Sequence, residues 1–308
     1  MAFGRSLLLA AARSRTLNDF ALRSAFVKRA TRTFMPGEHA RDALDAGATI
    51  AASGRGLLFT QLGEAISRPE EAVAVSDHYL WFFDQIRAMQ LPAQVSVKPT
   101  QLGLDLSFAE CERKLRALAA KAESRGSALW LDMEDSSYVD RTLELYVALK
   151  KNHPSTGVAL QAYLRRTPED LARLMPLKPV IRLVKGAYDE PGEKAFAKKS
   201  DTDRAYYDLA TQMLDAARRD ICTPVFGTHD LGLIGRIVEQ AAASGVVKQK
   251  YQIHMLYGIR DSAQRHLVAE GHIVKTLVSY GSAWYRWYMR RLAERPANVL
   301  FVAKSLFG

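Results

Sequence analysis

Seven residues of chemical interest, Lys98, Asp132, Gln161, Arg182, Thr228, His229 and His254, stand at or near the ends of short β-type runs. Most of them break a local alternation. Val95 and Val97 share one face while Ser96 and Lys98 share the other. The same period of two sets Leu129 and Leu131 against Asp132, Val158 and Leu160 against Gln161, Ile181 and Leu183 against Arg182, and Ile253 and Met255 against His254. A single buried polar residue in such a position is commonly structural. Six strands that each deliver one to the same end make a site, because every group left unpaired inside would cost about 1–3 kcal/mol.

The set joins the cations Lys98, Arg182 and Lys185 to one carboxylate, Asp132, with amides and imidazoles. There is no H-E-x-x-H, no Cys/His cluster of zinc spacing and too little Asp and His for a two-metal centre, so no metal is expected. Lys98 or Lys185 has the chemistry of a Schiff-base lysine. The excess of positive charge points instead to an anionic ligand, in a ring wide enough for a large cofactor. An ion pair between Lys98 and Asp132, on neighbouring strands, is expected. Further along, WYMRRLAERPAN places Arg290 and Arg291 side by side on a helix, with Glu294 four residues after Arg290 to hold its guanidinium. Paired arginines suit a small carboxylate, which they can grip through two parallel hydrogen bonds.

The elements that must position these residues follow a rhythm. From about residue 53, eight β-type runs (GRGLLFTQLG, QVSVKPT, ALWLDME, GVALQAYL, PVIRLVKG, TPVFGTHD, YQIHMLYG, HIVKTLVSYG) alternate with amphipathic helical stretches. Ser107 three residues before Glu110 is a capping box, and Thr167-Pro168-Glu169 opens another helix. Strand–helix alternation demands parallel pairing through right-handed crossovers, and eight such units close a barrel. An open doubly wound sheet is the alternative, but no strand is followed by G-x-G-x-x-G and there is no P-loop. The fold expected is α/β, a (βα)8 TIM-type barrel over residues 46–308 that carries the site, preceded by a basic helical arm over 1–45.

Composition agrees with one folded unit: 308 residues, 48% hydrophobic and 25% charged, exclude disorder and coiled coil. The longest apolar stretch, Leu7–Ala12, is far short of the roughly 18 residues that span a bilayer. Cys111 and Cys222 make no disulfide framework. The net charge is +10, and residues 1–36, with seven Lys/Arg and Asp19 alone as acid, hold +6 of it. A nucleic-acid binder would stripe that charge through its folded part, so nucleic acid is not an expected partner. An Arg-rich, acid-poor amphipathic segment reads as a folded arm, a transit-like segment or a membrane-surface helix.

The motifs also carry a resemblance. VSVKPTQLG (95–103), LDMED (131–135), LQAYLRRT (160–167), IRLVKGAYDEP (181–191), GTHD (227–230), MLYGIRD (255–261) and WYMRRLAERPAN (287–298) resemble, in order, the monofunctional, bacterial-type proline dehydrogenases. MPGEHARDAL (35–44) resembles their N-terminal segment. The resemblance implies FAD lying across the strand ends without a Rossmann module, and a last helix closing over the mouth. It implies Asp132 and Arg182 as catalytic residues. It implies cofactor contacts from Met133, Gln161, Arg182, Val184, Lys185, Gly186, Ala187, Thr228, His229 and His254. L-proline would be held by Lys98, Arg290 and Arg291 and walled by Tyr188, Leu256 and Leu277. Hydride would pass from the ring carbon beside nitrogen to flavin N5, giving Δ1-pyrroline-5-carboxylate, the first step of proline catabolism. A membrane quinone would accept the electrons, with peripheral attachment to an anionic membrane surface. In a bacterium that surface is the cytoplasmic side of the inner membrane, in a eukaryote the matrix side of the mitochondrial one.

Three positions depart from the family pattern: His254 stands for a glutamine, Leu277 for a tyrosine and Trp287 for a tyrosine. They leave open a 4-substituted proline such as hydroxyproline as substrate. From other classes, a Schiff-base lyase using Lys98 or Lys185 and a non-catalytic binding protein also remain open.

Overall fold

The computed structural model describes residues 31–63 and 66–294, together with Ala21 and Val27. Eight parallel strands follow one another around a closed barrel in chain order, and the last pairs with the first. They are β1 (Gly56–Gln61), β2 (Ala93–Val97), β3 (Leu129–Leu131), β4 (Gly157–Gln161), β5 (Val180–Val184), β6 (Thr223–Gly227), β7 (Gln252–Leu256) and β8 (Ile273–Tyr280). Closure joins Gly56 to Lys275 at one end of the β1–β8 register and Gln61 to Tyr280 at the other. The eight strands anticipated from the alternation are the eight observed.

The described helices are α1 (Ala40–Ala51), α2 (Pro69–Ala88), α3 (Phe108–Ser124), α4 (Val139–Lys150), α5 (Thr167–Leu174), α6 (Lys199–Arg218), α7 (Leu231–Ala243), α8 (Asp261–Ala269) and α9 (Trp284–Glu294). Their starts follow local chemistry. The Ser107 hydroxyl accepts from the Glu110 N–H at 3.3 Å, satisfying one of the donors left open in the first turn of α3. Pro69 and Pro168 lie in the first turns of α2 and α5, where a missing N–H costs nothing. The boundary expected between residues 45 and 46 falls inside α1, whose Leu44, Gly47 and Ile50 are buried.

The alternation resolves into two apolar layers. Outward-facing Val95, Val97, Leu129, Leu131, Val158, Leu160, Ile181 and Leu183 pack under the helices in the main core. Inward-facing Leu58, Trp130 and Val225, with Val180 and Leu277 against them, form a separate plug inside the barrel. The barrel is therefore a filled core with its polar residues above the plug, as strand pleating requires. A third cluster joins Ala21, Met35 and Leu62 to Trp284, Tyr285, Trp287, Tyr288 and Leu292 of α9, with Val27 packed against it. The rest of the basic segment 1–30 and residues 295–308 lie outside the described residues.

Candidate active site

The C-terminal ends of the strands carry the predicted residues. Asp132 follows β3, and its carboxylate accepts from the Ser96 hydroxyl of β2 at 2.7 Å and from the Arg182 guanidinium of β5. Arg182 is 6% exposed, donates also to Ser96 at 3.1 Å, and lies over the Trp130 ring with 5.0 Å to the centroid. Burial pulls its pKa down from the ordinary arginine value while Asp132 opposes the shift. A buried guanidinium with one carboxylate and one aromatic face stays charged, so the site carries a fixed cation below its mouth.

This arrangement corrects one expectation. Asp132 pairs with Arg182, not with Lys98. Pleating turns Lys98 and Asp132 inward as anticipated, but the Arg182 guanidinium, from β5, takes the carboxylate. Lys98 is left 7% exposed, in ion pair with no described residue. A buried ammonium without a carboxylate is costly unless a ligand supplies the counter-charge.

Lys185 is engaged in ion pairs of its own. Its ammonium is turned to two carboxylates, Asp203 of α6 at 2.5 Å and Asp230 at the start of α7 at 2.8 Å. The hydrogen bond from Lys185 holds Asp230 below the ordinary carboxylate range. The Lys185 backbone is tied to the segment after β4: Tyr163 N–H donates to the Lys185 carbonyl at 2.9 Å and Ala162 N–H to the Val184 carbonyl at 2.8 Å. Gly186 follows at φ +109°, a conformation in which any side chain is strained, and a Cβ there would meet the Tyr163 ring at 2.2 Å. Ala187 and Tyr188 continue the same loop, both half-buried.

Thr228 and His229 end the sixth unit. The Thr228 hydroxyl accepts from the Asp230 N–H at 3.2 Å. His229 Nε2 accepts from the Leu256 N–H at 2.8 Å, which fixes the tautomer with the proton on Nδ1 and ties the ends of β6 and β7 together. Leu256 is 9% exposed at the mouth. Leu277, its register partner on β8, packs into the plug with Trp130 and Leu58. His254 lies edge-on to Trp130 with centroids 5.6 Å apart and Nε2 3.2 Å from Gln252 Oε1. Burial first, then Lys275 and Arg182, push its pKa well below the usual histidine value. It is neutral.

Met133, Glu134 and Gln161 complete the wall. Gln161 is 3% exposed and donates through Nε2 to the Glu134 carbonyl at 3.1 Å. Glu134, which the sequence reading did not single out, accepts from both the N–H and the hydroxyl of Thr100 and so stitches β2 to β3. Its position in LDMED, two residues after Asp132, was the available signal. Met133 is buried at 7% exposure.

The closing helix brings the last group in. The Arg290 guanidinium lies over the Tyr188 ring, 5.1 Å from its centroid, and Arg291 lies over Trp287 at 5.9 Å. Two predicted substrate residues from distant parts of the chain thus meet, and Trp287 supplies a broad π-face to Arg291. The Glu294 side chain, expected to hold Arg290, lies outside the described residues. Among the described residues, the buried Gln161 Oε1 and His254 Nδ1 on β4 and β7 have no hydrogen-bond partner. A cofactor with polar edges would suit them, and the side-chain-free Gly186 offers a close backbone approach.

Comparison with known proteins accords with this geometry. A family model described as proline dehydrogenase matches residues 43–304. The chain is 33% identical over 302 residues to proline dehydrogenase 1 of Bacillus subtilis (strain 168), covering 98% of each chain. It is 34% identical over 282 residues to the proline dehydrogenase of Deinococcus radiodurans, covering 89% of this chain and 88% of that one. Among solved structures, proline utilization A (PutA) from Bdellovibrio bacteriovorus, inactivated by N-propargylglycine, superposes with a TM-score of 0.80 at 21% identity. That match covers 93% of this chain and 38% of the longer protein, and at such identity it speaks for the fold alone.

Proposed function

Because the chain belongs to the proline dehydrogenase family, we propose that the barrel mouth binds FAD and that Lys98, Arg290 and Arg291 hold L-proline against it by its carboxylate. The chain is an oxidoreductase that oxidises proline, the first step of proline catabolism, and the family's cofactor is a flavin. The observation that carries the site assignment is Lys98, a buried ammonium that none of the described residues neutralises. A substrate carboxylate would supply the missing charge.

The residues present fit a flavin. Gln161 and His254 offer the unpartnered atoms, the Val184-Lys185-Gly186-Ala187 loop offers backbone, and Met133, Thr228 and His229 flank it. When bound, the flavin supplies a two-electron acceptor for the hydride that leaves the ring carbon beside nitrogen, which yields Δ1-pyrroline-5-carboxylate. The chain's own task is orientation. Clamping the carboxylate from two sides fixes the ring, and Tyr188 and Leu256 limit its tilt. Holding one geometry can supply much of the rate when little proton transfer is needed. Asp132 is committed to Arg182 and Ser96, so its part is to keep the fixed cation in place.

The Schiff-base lyase reading loses its support at Lys185, whose side-chain nitrogen is engaged by two carboxylates, Asp203 and Asp230. The comparisons favour proline over 4-substituted prolines as substrate.

Arg290→Ala and Arg291→Ala test the clamp. Each is expected to weaken proline binding by about 2–5 kcal/mol, the range for removing one partner of a desolvated charge pair, while flavin content stays unchanged. An unchanged KM for proline in both variants would remove the carboxylate assignment.

A further inference from the structure

We propose that Lys275 is a covalent modification site, an inward-facing amine near the N-terminal end of the barrel that accepts acyl groups from small activated donors such as acyl phosphates. The placement comes from strand pleating. On β8, Val274 packs with Ile253 and Met255 outside the barrel, and Thr276 donates outward to Gln264 of α8. Lys275 therefore points inward, like Leu277.

Its surroundings are unusual for a lysine. In register it lies between Gly56 of β1 and His254 of β7. The absence of a side chain at Gly56 makes the trough for it: a Cβ there would come within 2.9 Å of Lys275 Cγ and 3.3 Å of Cε. Among the described residues no carboxylate pairs with it. On β7 the neighbours are neutral His254 and Gln252. Arg55, beside Gly56, is turned outward to Asp261, and Arg182 of β5 is committed to Asp132. Lys275 is half-buried and in hydrogen bond or ion pair with no described residue.

Desolvation without a counter-charge disfavours the ammonium. Burial brings the Lys275 pKa down to about 8, so roughly a tenth of it is neutral amine at pH 7, against under about 0.1% for an ordinary lysine. A lower pKa also weakens the nucleophile, which leaves a net advantage of roughly tenfold. In the reaction the neutral amine attacks the acyl carbon and a C–N bond forms. The C–O bond to phosphate breaks, phosphate leaves with the electron pair, and the amine's extra proton passes to water. Nothing is oxidised or reduced. The product is a neutral amide where a cation had faced His254.

The test uses the flavin-loaded protein and acetyl phosphate, with acylation rates at each lysine read by peptide mass spectrometry from pH 6 to 9.5. Lys275 is expected to be acylated about tenfold faster at pH 7 than the exposed Lys151, with a rate half-maximal near pH 8. Lys275→Arg should abolish that signal and leave the rate at Lys151 unchanged. Acylation of Lys275 no faster than of Lys151, or only after unfolding in urea, overturns the proposal.

Discussion

At the scale of single residues, the barrel interior is governed by what a charge costs when it leaves water. Arg182 keeps its charge because Asp132 and the face of Trp130 offset its burial. His254, 4% exposed between the cations Lys275 and Arg182, does the opposite and stays neutral. That has a pH consequence. In the unfolded chain His254 takes up a proton near pH 6.5, and in the folded chain only far below it. The unfolded state therefore binds more protons as pH falls below about 6.5, and stability falls with it, by up to about 1.4 kcal/mol between pH 7.5 and 5.5. His254→Gln should remove this part of the acid slope. His78 and His272, also lowered by burial, contribute equally to both proteins. Urea midpoints of the two proteins at pH 7.5 and 5.5 measure the difference, and parallel slopes would mean that His254 does not titrate in this way. Much of this level was legible in the sequence. A period of two is local, so the inward direction of Lys98, Asp132, Gln161 and Arg182 could be read from their neighbours. Partner choice could not. Whether Asp132 takes Lys98 or Arg182 depends on reach across the closed barrel, which no spacing along the chain encodes. Lys275 went unnoticed although it shares the period of Leu277, because a lysine in a strand ordinarily reads as a solvent-facing one.

At the scale of elements, the site depends on loops that follow strands and on one helix that returns. The loop after β5 is the most constrained. Gly186 at φ +109° lies against the ring of Tyr163, while the Tyr163 N–H is bonded to the Lys185 carbonyl. Gly186→Ala would force both an unfavourable backbone conformation and a clash of the Cβ at 2.2 Å. We expect the variant to lose flavin before it loses its fold. The ratio of flavin to protein absorbance should drop at least severalfold while far-ultraviolet circular dichroism is retained, and full flavin content would show that the loop does not cradle the cofactor. The sequence marked this glycine only through its family motif, since the need for positive φ arises from the approach of Tyr163, twenty-three residues upstream. Helix α9 is the second element. WYMRR shows amphipathic spacing, but that its Arg290 stacks on Tyr188, across the barrel mouth, follows from the turn after β8. Trp284, Tyr285 and Tyr288 anchor that helix on Met35 and Leu62. Anchoring one face leaves Arg290 and Arg291 half-buried, as a carboxylate clamp requires.

At the scale of the whole molecule, eightfold alternation was enough to specify a closed barrel, because each strand–helix unit must cross over with the same hand and eight of them meet. The charge distribution was equally plain, with +6 of +10 in residues 1–36. Among the described residues no helix is long and apolar enough to cross a membrane. We propose that electrons leave the flavin to a membrane quinone and that the basic segment favours peripheral contact with an anionic surface. Each basic residue there would contribute about 1 kcal/mol at most, weakened by salt. Salt-sensitive sedimentation with anionic vesicles is expected for the full chain and should be lost on deletion of residues 1–36. Equal sedimentation of both forms would count against the segment's role. The central claim, that the polar ring of this barrel presents proline to a bound flavin, is tested most directly without oxygen or quinone. The purified protein should be yellow, and adding L-proline anaerobically should bleach the flavin absorbance with one equivalent of Δ1-pyrroline-5-carboxylate formed per flavin. A flavin-loaded protein whose spectrum proline leaves unchanged would contradict the account.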